Sequence, residues 1–374
     1  MNTEQYYLII LIIFLLSALI QLIYYLFIFM RFITYVSKAE TEDKVPVSIV
    51  ICARNEANNL EKYLPRILEQ NYTDYEVVVV NDCSEDNSYE VLGTFLAQYP
   101  NLKISTVNKD PKFTHNKKFA QFIGIKAAKN EILLFTDADC QPESDKWIEA
   151  ITSHFEDKIS FVLGYGGYLK EKGLLNRYIR YDCMTIAMQY LGMAIRGNPY
   201  MGVGRNLAYR RSVFFANKGF GAHNHIISGD DDLFVNMHAR KSNTSLEFRK
   251  IAHTRSRPIS SLKVWITQKK RHLTTAPYYK FMDKFRLITE LLSRIIFYAA
   301  FIVLLSYGFL WPLVSVIFGL RLITQIIIFV LSQKKLNETG LVAYSLIFDI
   351  FSPVINALVF LSNVLDNPGK NRWK

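Results

Sequence analysis

The sequence predicts an α/β fold: a mainly parallel β-sheet with helices on both faces, flanked by transmembrane helices. Three observations predict it. Short β-rich apolar runs alternate with helical stretches between residues 45 and 285. One run holds four consecutive valines, Val77 to Val80, the mark of a strand buried on both faces. The chain is 50% hydrophobic and 14% aromatic, and that excess over a soluble composition gathers at its two ends.

Residues 6–30 come first and are almost entirely apolar, with Gln21 the most polar side chain. About 20 residues at ~1.5 Å each span a bilayer core, so this stretch is long enough. No Lys or Arg precedes it, and it exceeds a signal-peptide core, so residues 1–35 are expected to be an anchor. Arg31 and Lys38 follow, and the positive-inside rule then puts the N-terminus outside and the next segment in the cytosol.

Strands are expected at Val47–Ala53, 75–81, Leu102–Val107 and 131–136, and helices at 55–70 and 117–129. Ser84 or Asp86 is available to cap the helix after the second strand. Ligands of such sheets collect beyond the carboxyl ends of the strands. There stand Arg54, Asn55 and Glu56, then Asn81 and Asp82, then Thr136 to Asp139. The domain is expected to cover residues 45–285.

Residues 289–374 form the second membrane region. The apolar block 295–332 is too long for one helix and breaks near Tyr307, Gly308 and Pro312, so spans at 291–309 and 311–331 are expected. The chain would return to the cytosol at Lys334 and Lys335. Residues 341–361 contain Asp349, Pro353 and Asn356. A full span there would put Lys370, Arg372 and Lys374 outside, so a Pro-broken re-entrant or interfacial hairpin is preferred to a third span.

The net charge of +11 suits anionic lipid, a phosphorylated ligand or nucleic acid. The basic residues crowd beside the membrane segments, which argues against nucleic acid. Cys52, Cys83, Cys140 and Cys183 lack zinc-knuckle spacing and are expected to be free thiols in a reducing compartment.

Asp137 and Asp139, alternating at a strand end, are candidates to hold Mg²⁺ or Mn²⁺, whose shells are commonly completed by substrate phosphates. An acidic turn with a helix cap would look the same. Asp82 could accept from a nucleobase or ribose, or simply cap a helix. Asp230, Asp231 and Asp232 open a helical stretch, where acids suit the dipole. Three together repel, which should raise at least one pKa and suits a general base. Gln268, Arg271 and His272 share a face of a basic amphipathic stretch that could meet a diphosphate, lie on lipid through Lys269, Lys270 and Arg271, or both. Gly202-Val203-Gly204 lacks the pattern of a phosphate loop and reads as a turn that lets the backbone approach a substrate.

Six motifs occur in one order: ICARNE from Ile51, NDCSED from Asn81, TDAD from Thr136, GVGRNLAYRRSVF from Gly202, GDDDL from Gly229 and QKKRH from Gln268. Together they resemble glycosyltransferase family 2, in particular its membrane-integrated members such as the poly-N-acetylglucosamine, hyaluronan and ceramide glucosyl transferases. The resemblance covers about residues 45–276. It implies a GT-A fold, a UDP-sugar donor, a divalent metal and inversion at the anomeric carbon. It implies nucleotide-sugar contacts at Ala53, Arg54, Glu56, Asp82, Lys117, Asp137, Gln268 and His272, with metal at Asp139 and Asp137. The base would be Asp230, with Asp231 the rival because Gly229 replaces the family's Glu, and Arg271 would stabilise the diphosphate. His272 stands where the family has Trp, which counts against processive synthesis.

The expected activity is a single displacement onto a lipid or glycan acceptor at the cytosolic face of the cell inner (plasma) membrane, by a multi-pass protein. A processive polysaccharide synthase and a non-catalytic nucleotide-sugar-binding scaffold are the alternatives. The sugar, the acceptor and the oligomeric state are not readable from the sequence.

Overall fold

The computed structural model describes residues 3–37, 44–109, 116–224, 226 and 228–365. Lys38, Lys370, Arg372 and Lys374, on which part of the expected topology rests, lie outside the described residues.

The elements follow the expected alternation. Helix α1 (Thr3–Thr34) contains a π-helical turn at Tyr25–Phe29. Then come β1 (Val47–Ala53), α2 (Ala57–Leu68), β2 (Tyr75–Asp82), α3 (Ser88–Leu96), β3 (Leu102–Val107), α4 (Lys117–Ala127) and β4 (Ile132–Asp137). After them stand β5 (Cys140–Pro142), α5 (Trp147–Thr152), β6 (Phe161–Gly164), β7 (Gly166–Tyr168), α6 (Leu174–Ile195), β8 (Leu207–Arg210) and α7 (Arg211–Ala216). The domain closes with α8 (Asp232–His238), β9 (Thr244–Glu247), β10 (Thr254–Ser256) and α9 (Leu262–Leu273). Helices α10 (Phe281–Ser306), α11 (Trp311–Lys335) and α12 (Val342–Leu365) follow.

Seven strands form one sheet in the order β3-β2-β1-β4-β8-β6-β9. β3, β2, β1 and β4 run parallel, and β8 is antiparallel to both its neighbours. The register levels the carboxyl ends: Ala53 pairs with Asn81, and Cys52 with Asp137. The valine run is buried on both faces because alternate residues enter different cores. Val78 joins the core that also holds Val50, Leu133 and Phe135. Val77 and Val79 join the one holding Ile49, Ile51 and Leu134. A small sheet, β5-β10-β7, sits beside the main one.

Helix α4 lies against β1 and β2 at a glycine. A Cβ on Gly124 would stand 2.5 Å from Val50 Cγ1 and 3.0 Å from Val80 Cγ2. Gly124→Ala is therefore expected to cost about 1–3 kcal/mol through overpacking. A lowered thermal unfolding temperature of the purified protein checks this.

Among the described residues, four helices are long and apolar enough to cross a membrane: α1, α10, α11 and the stretch Val342–Asn363 of α12. The break between α10 and α11 falls at residues 307–310, where Gly308 and Leu310 adopt left-handed backbone and Pro312 opens the next helix. Helix α10 begins ten residues before the expected span. Asp283 in its first turn accepts from Asn198 (2.7 Å) and Asn236 (2.9 Å) and so docks it on the domain. Tyr25, Phe29 and Phe32 of α1, Phe329 of α11 and Phe348 of α12 share one core with the sheet.

The expected hairpin at 341–361 is not formed. Residues Val342–Leu365 make one unbroken helix with Pro353 inside it. Asp349, one turn earlier, is held by Arg321 (2.5 Å) and Tyr298 (2.7 Å), with Arg294 at 3.3 Å. These contacts fix the turn before the proline against α10 and α11. Both ends of α12 meet the domain. Just before it, Glu338 is bonded by Arg180 and Arg255, and near its end Asn363 donates to the Lys270 carbonyl of α9 at 3.0 Å.

Candidate active site

The first two loops at the carboxyl edge are tied to each other. Asn55 N–H donates to Ser84 Oγ (3.0 Å), Glu56 N–H to Ser88 Oγ (3.1 Å), and Glu85 N–H to Asn55 Oδ1 (2.8 Å). Asp86 takes the expected capping role at the start of α3 and serves a second helix as well. Asp86 Oδ2 accepts from Ala57 N–H (3.0 Å) at the start of α2, while its Oδ1 accepts from Ser88 N–H (3.0 Å). Because β1 and β2 are paired in register, the start of α2 comes within reach of Asp86. Asn55 and Cys83 both have φ near +55°, which is rare for a non-glycine residue and marks a tightly specified edge. Between them Ala53 and Asp82 are buried, and Arg54 and Glu56 are half-buried.

Lys117 occupies the first turn of α4, which Asn116 caps by accepting from Phe119 N–H at 2.9 Å. Its ammonium donates to Asp137 Oδ1 at 2.8 Å and lies 3.4 Å from Asp230 Oδ2. Burial would lower the Lys117 pKa, but Asp137, Asp230 and Asp231 together hold it well above its usual value. Burial likewise opposes ionisation of Asp137, yet Lys117 keeps that carboxyl below the ordinary range.

Asp139 stands two residues on, accepting from Ser256 Oγ at 3.0 Å. Burial, and then the charges of Asp137 and Glu56, push its pKa up. Crowded, mutually repelling carboxylates of this kind are what a divalent cation relieves. Ligand atoms of Asp137, Asp139 and Cys140 lie within 4.8 Å of one another. The Cys140 thiol is buried and its pKa is raised well above the usual value, so it stays protonated. The two oxygen donors suit Mg²⁺ or Mn²⁺.

The three consecutive acids have three different environments. Asp230 is buried beside Lys117. Asp231 caps α8; its Oδ1 accepts from Asp232 N–H (2.7 Å) and its Oδ2 from Gly204 N–H (2.6 Å). A Cβ on Gly204 would reach Asp231 Oδ2 at 3.2 Å, so the close backbone approach that was expected toward a substrate is made here to this carboxylate. Burial, then Asp230 and Asp232, raise the Asp231 pKa to about 7. Asp232 points inward to Thr275 Oγ1 (2.5 Å) and Tyr279 OH (2.6 Å), tying α8 to the chain after α9.

Helix α9 brings its basic tip to this cleft. Gln268 and Arg271 are half-buried and His272 is exposed at its rim. Partial desolvation at the cleft mouth, then the positive charges of Arg271, Arg205, Lys269 and Lys117, lower the His272 pKa, and the open face of the ring tempers the first of these. Lys269 is not a lipid-facing residue. It is buried and donates to both oxygens of Asp182 on α6, at 2.7 and 2.6 Å.

Three contributors were not singled out from the sequence. The Arg205 guanidinium lies over the Tyr168 ring, 4.4 Å from its centroid, and contributes positive charge at both Asp137 and Asp139. Lys118, buried, donates to the carbonyls of His223 (2.7 Å) and Ile226 (2.9 Å), holding the segment before Asp230. Ser256 orients Asp139. Arg205 stood inside a quoted motif; the other two had no local signal.

A family model described as glycosyl transferase family 2 matches residues 48–215. This segment is a family 2 glycosyltransferase domain. It contains the first two loops, Lys117, Asp137, Asp139 and Arg205, while the acids of α8 and the tip of α9 lie beyond it. Glycosyltransferase AglE of Haloferax volcanii is 31% identical over 195 residues, which is 50% of this chain and 58% of that protein. Probable glycosyltransferase YdaM of Bacillus subtilis is 26% identical over 260 residues, 67% of this chain and 60% of that protein. The chain thus spans less than two thirds of the length of these relatives. The mannosyltransferase PcManGT of Pyrobaculum calidifontis, solved in complex with GDP-Man and Mn²⁺, superposes with a TM-score of 0.63 at 16% identity. The match covers 95% of this chain and 98% of that one. The family 2 domain therefore has the GT-A fold, with apolar helices on either side.

Proposed function

We propose that the chain is an inverting membrane glycosyltransferase. It moves a sugar from a UDP-sugar to a lipid or lipid-linked acceptor at the cytosolic membrane face. One observation carries this reading: Lys117, Asp137, Asp139, Asp230 and Asp231 converge at the sheet's carboxyl edge, beneath the basic tip of α9.

In this reading Asp82 binds the uridine at the end of β2, with Ala53, Arg54 and Glu56 forming the floor. Asp139 and Asp137 would hold Mg²⁺ or Mn²⁺, which supplies positive charge to the diphosphate when bound. Arg271, Arg205 and Lys117 oppose the charge growing on the UDP leaving group. Gln268 and His272 close over the donor.

The sequence put the base first at Asp230, with Asp231 as rival. Burial and the Lys117 partner suit Asp230 to positioning. Asp231, less buried and with a pKa of about 7, suits the base that takes the acceptor's hydroxyl proton. The base works ionised, so kcat/KM should fall about tenfold per pH unit below roughly 7 and level off above it. A flat pH–rate profile between 5 and 8 would contradict the assignment.

Helices α1, α10 and α11 are assigned as spans, with the domain cytosolic. Helix α12 is assigned to the plane of the cytosolic surface, because both its ends meet the domain. Expected labelling follows from this. A cysteine introduced at Asn371 should react with a membrane-impermeant maleimide in inside-out vesicles and not in intact cells.

The assay of function is transfer from a radiolabelled donor into a lipid extract. One sugar per acceptor in the organic phase supports this reading. A long aqueous polymer would move the assignment to a processive synthase, and bound donor with no transfer to a scaffold.

A further inference from the structure

A basic groove of about 610 Å³ is lined by Lys170, Glu171, Lys172, Arg177, Arg180, Thr339, Gly340 and Tyr344. It forms where the segment after β7 and the first turn of α6 meet the turn between α11 and α12. None of the residues assigned to donor, metal or base lines it.

The groove is built. Asn176 Oδ1 accepts from Glu171 N–H (3.0 Å) and its Nδ2 donates to the Leu169 carbonyl (3.0 Å), fixing the loop that carries the lysines. Lys170 donates to Thr339 Oγ1 (3.0 Å), and Arg180 donates to the Thr339 carbonyl (3.1 Å), joining loop and turn. Arg177 lies over the Tyr344 ring, 4.6 Å from its centroid.

Its charge is unbalanced. Arg180 is committed to Glu338, which also takes Arg255. Among the described residues no carboxylate pairs with Lys170, Lys172 or Arg177, so Glu171 is the one acid set against three cations. An anion is what this wall is short of.

The surroundings decide which anion. Helix α11 ends beside the groove with Lys334 and Lys335, where the chain leaves the apolar layer. From Tyr344, the same face of α12 continues as Ile347, Phe351, Val354 and Leu358, all exposed and apolar. A charged pocket opening onto an apolar stripe fits an amphiphile, with the head in the pocket and the chain along the stripe. We propose that this groove binds the phosphodiester headgroup of an anionic membrane phospholipid. The site requires only that the helices meet a bilayer. It is tested apart from sugar transfer.

The test is native mass spectrometry of the full-length, delipidated protein titrated with phosphatidylglycerol or phosphatidylcholine. One phosphatidylglycerol should bind ahead of the rest, in preference to phosphatidylcholine. Neutralising a surface charge weakens anionic-lipid binding about fivefold, so K170Q/K172Q/R177Q should weaken this site roughly a hundredfold. K172Q alone removes no hydrogen bond among the described residues and should weaken it about fivefold, which keeps the test valid if the triple variant unfolds. K62Q/K126Q/K158Q, the same charge change outside the groove, should leave it unchanged. Equal binding by wild type and K172Q, equal affinity for the two lipids, or displacement by millimolar inorganic phosphate would each overturn the proposal; the last would indicate a soluble-anion site.

Discussion

Asp139→Asn should lower kcat/KM for donor turnover by about 10³-fold, because charge stabilisation by a held cation is worth several kcal/mol. Asn keeps the shape and can still accept from Ser256, so the sheet edge should stay folded. If Asp139 is a direct ligand, the variant binds metal more weakly, and raising Mg²⁺ or Mn²⁺ tenfold should recover part of the loss. Steady-state UDP release, with melting temperature alongside, checks this. A variant within threefold of wild type would remove Asp139 from the chemistry. Two crowded acids would then be left at a strand end with no cation to relieve them.

The second large effect is at Asp231. Asp231→Asn should reduce kcat by about 10²–10⁴-fold with little change in the KM for donor, and should abolish the acid limb near pH 7. The Gly204 N–H would still find an oxygen acceptor, so the turn should hold. Asp230→Asn should act differently. It removes a neighbour of Lys117 and part of the repulsion on Asp231, so the acid limb should move to lower pH while catalysis survives in part. If instead Asp230→Asn loses the limb and Asp231→Asn keeps it, the roles are exchanged.

Much of this arrangement could be read from the sequence where the signal was local. β1 and β3 begin and end where the apolar runs do; in β1 alternate Val and Ile residues are buried in two cores, while β3, at the sheet edge, buries Leu102 alone. The break between α10 and α11 was marked by Gly308 and Pro312, residues that end helices for backbone reasons. The places of Asp137 and Asp139 at a strand end, and of Asp230 to Asp232 at a helix start, were legible from the apolar runs beside them. Pairings across the chain were not legible. A lysine in a basic amphipathic helix reads the same whether it meets lipid or, like Lys269, a partner 87 residues earlier. Asp86 looked like a cap for its own helix, and only strand register brings it to α2. Pro353 looked like a break, yet the helix runs through it, packed through Asp349 on α10 and α11. The choice between Asp230 and Asp231 needed the position of Lys117, which lies more than a hundred residues away in sequence.

The most direct measurement is UDP and GDP release by the purified full-length protein. It would use a panel of UDP- and GDP-sugars, Mg²⁺ or Mn²⁺ and a bacterial lipid extract, with Asp139→Asn as control. The account predicts release from one UDP-sugar that requires the cation, the lipid and Asp139. Release that survives chelation and Asp139→Asn, or tight UDP binding with no turnover of any donor, would contradict it.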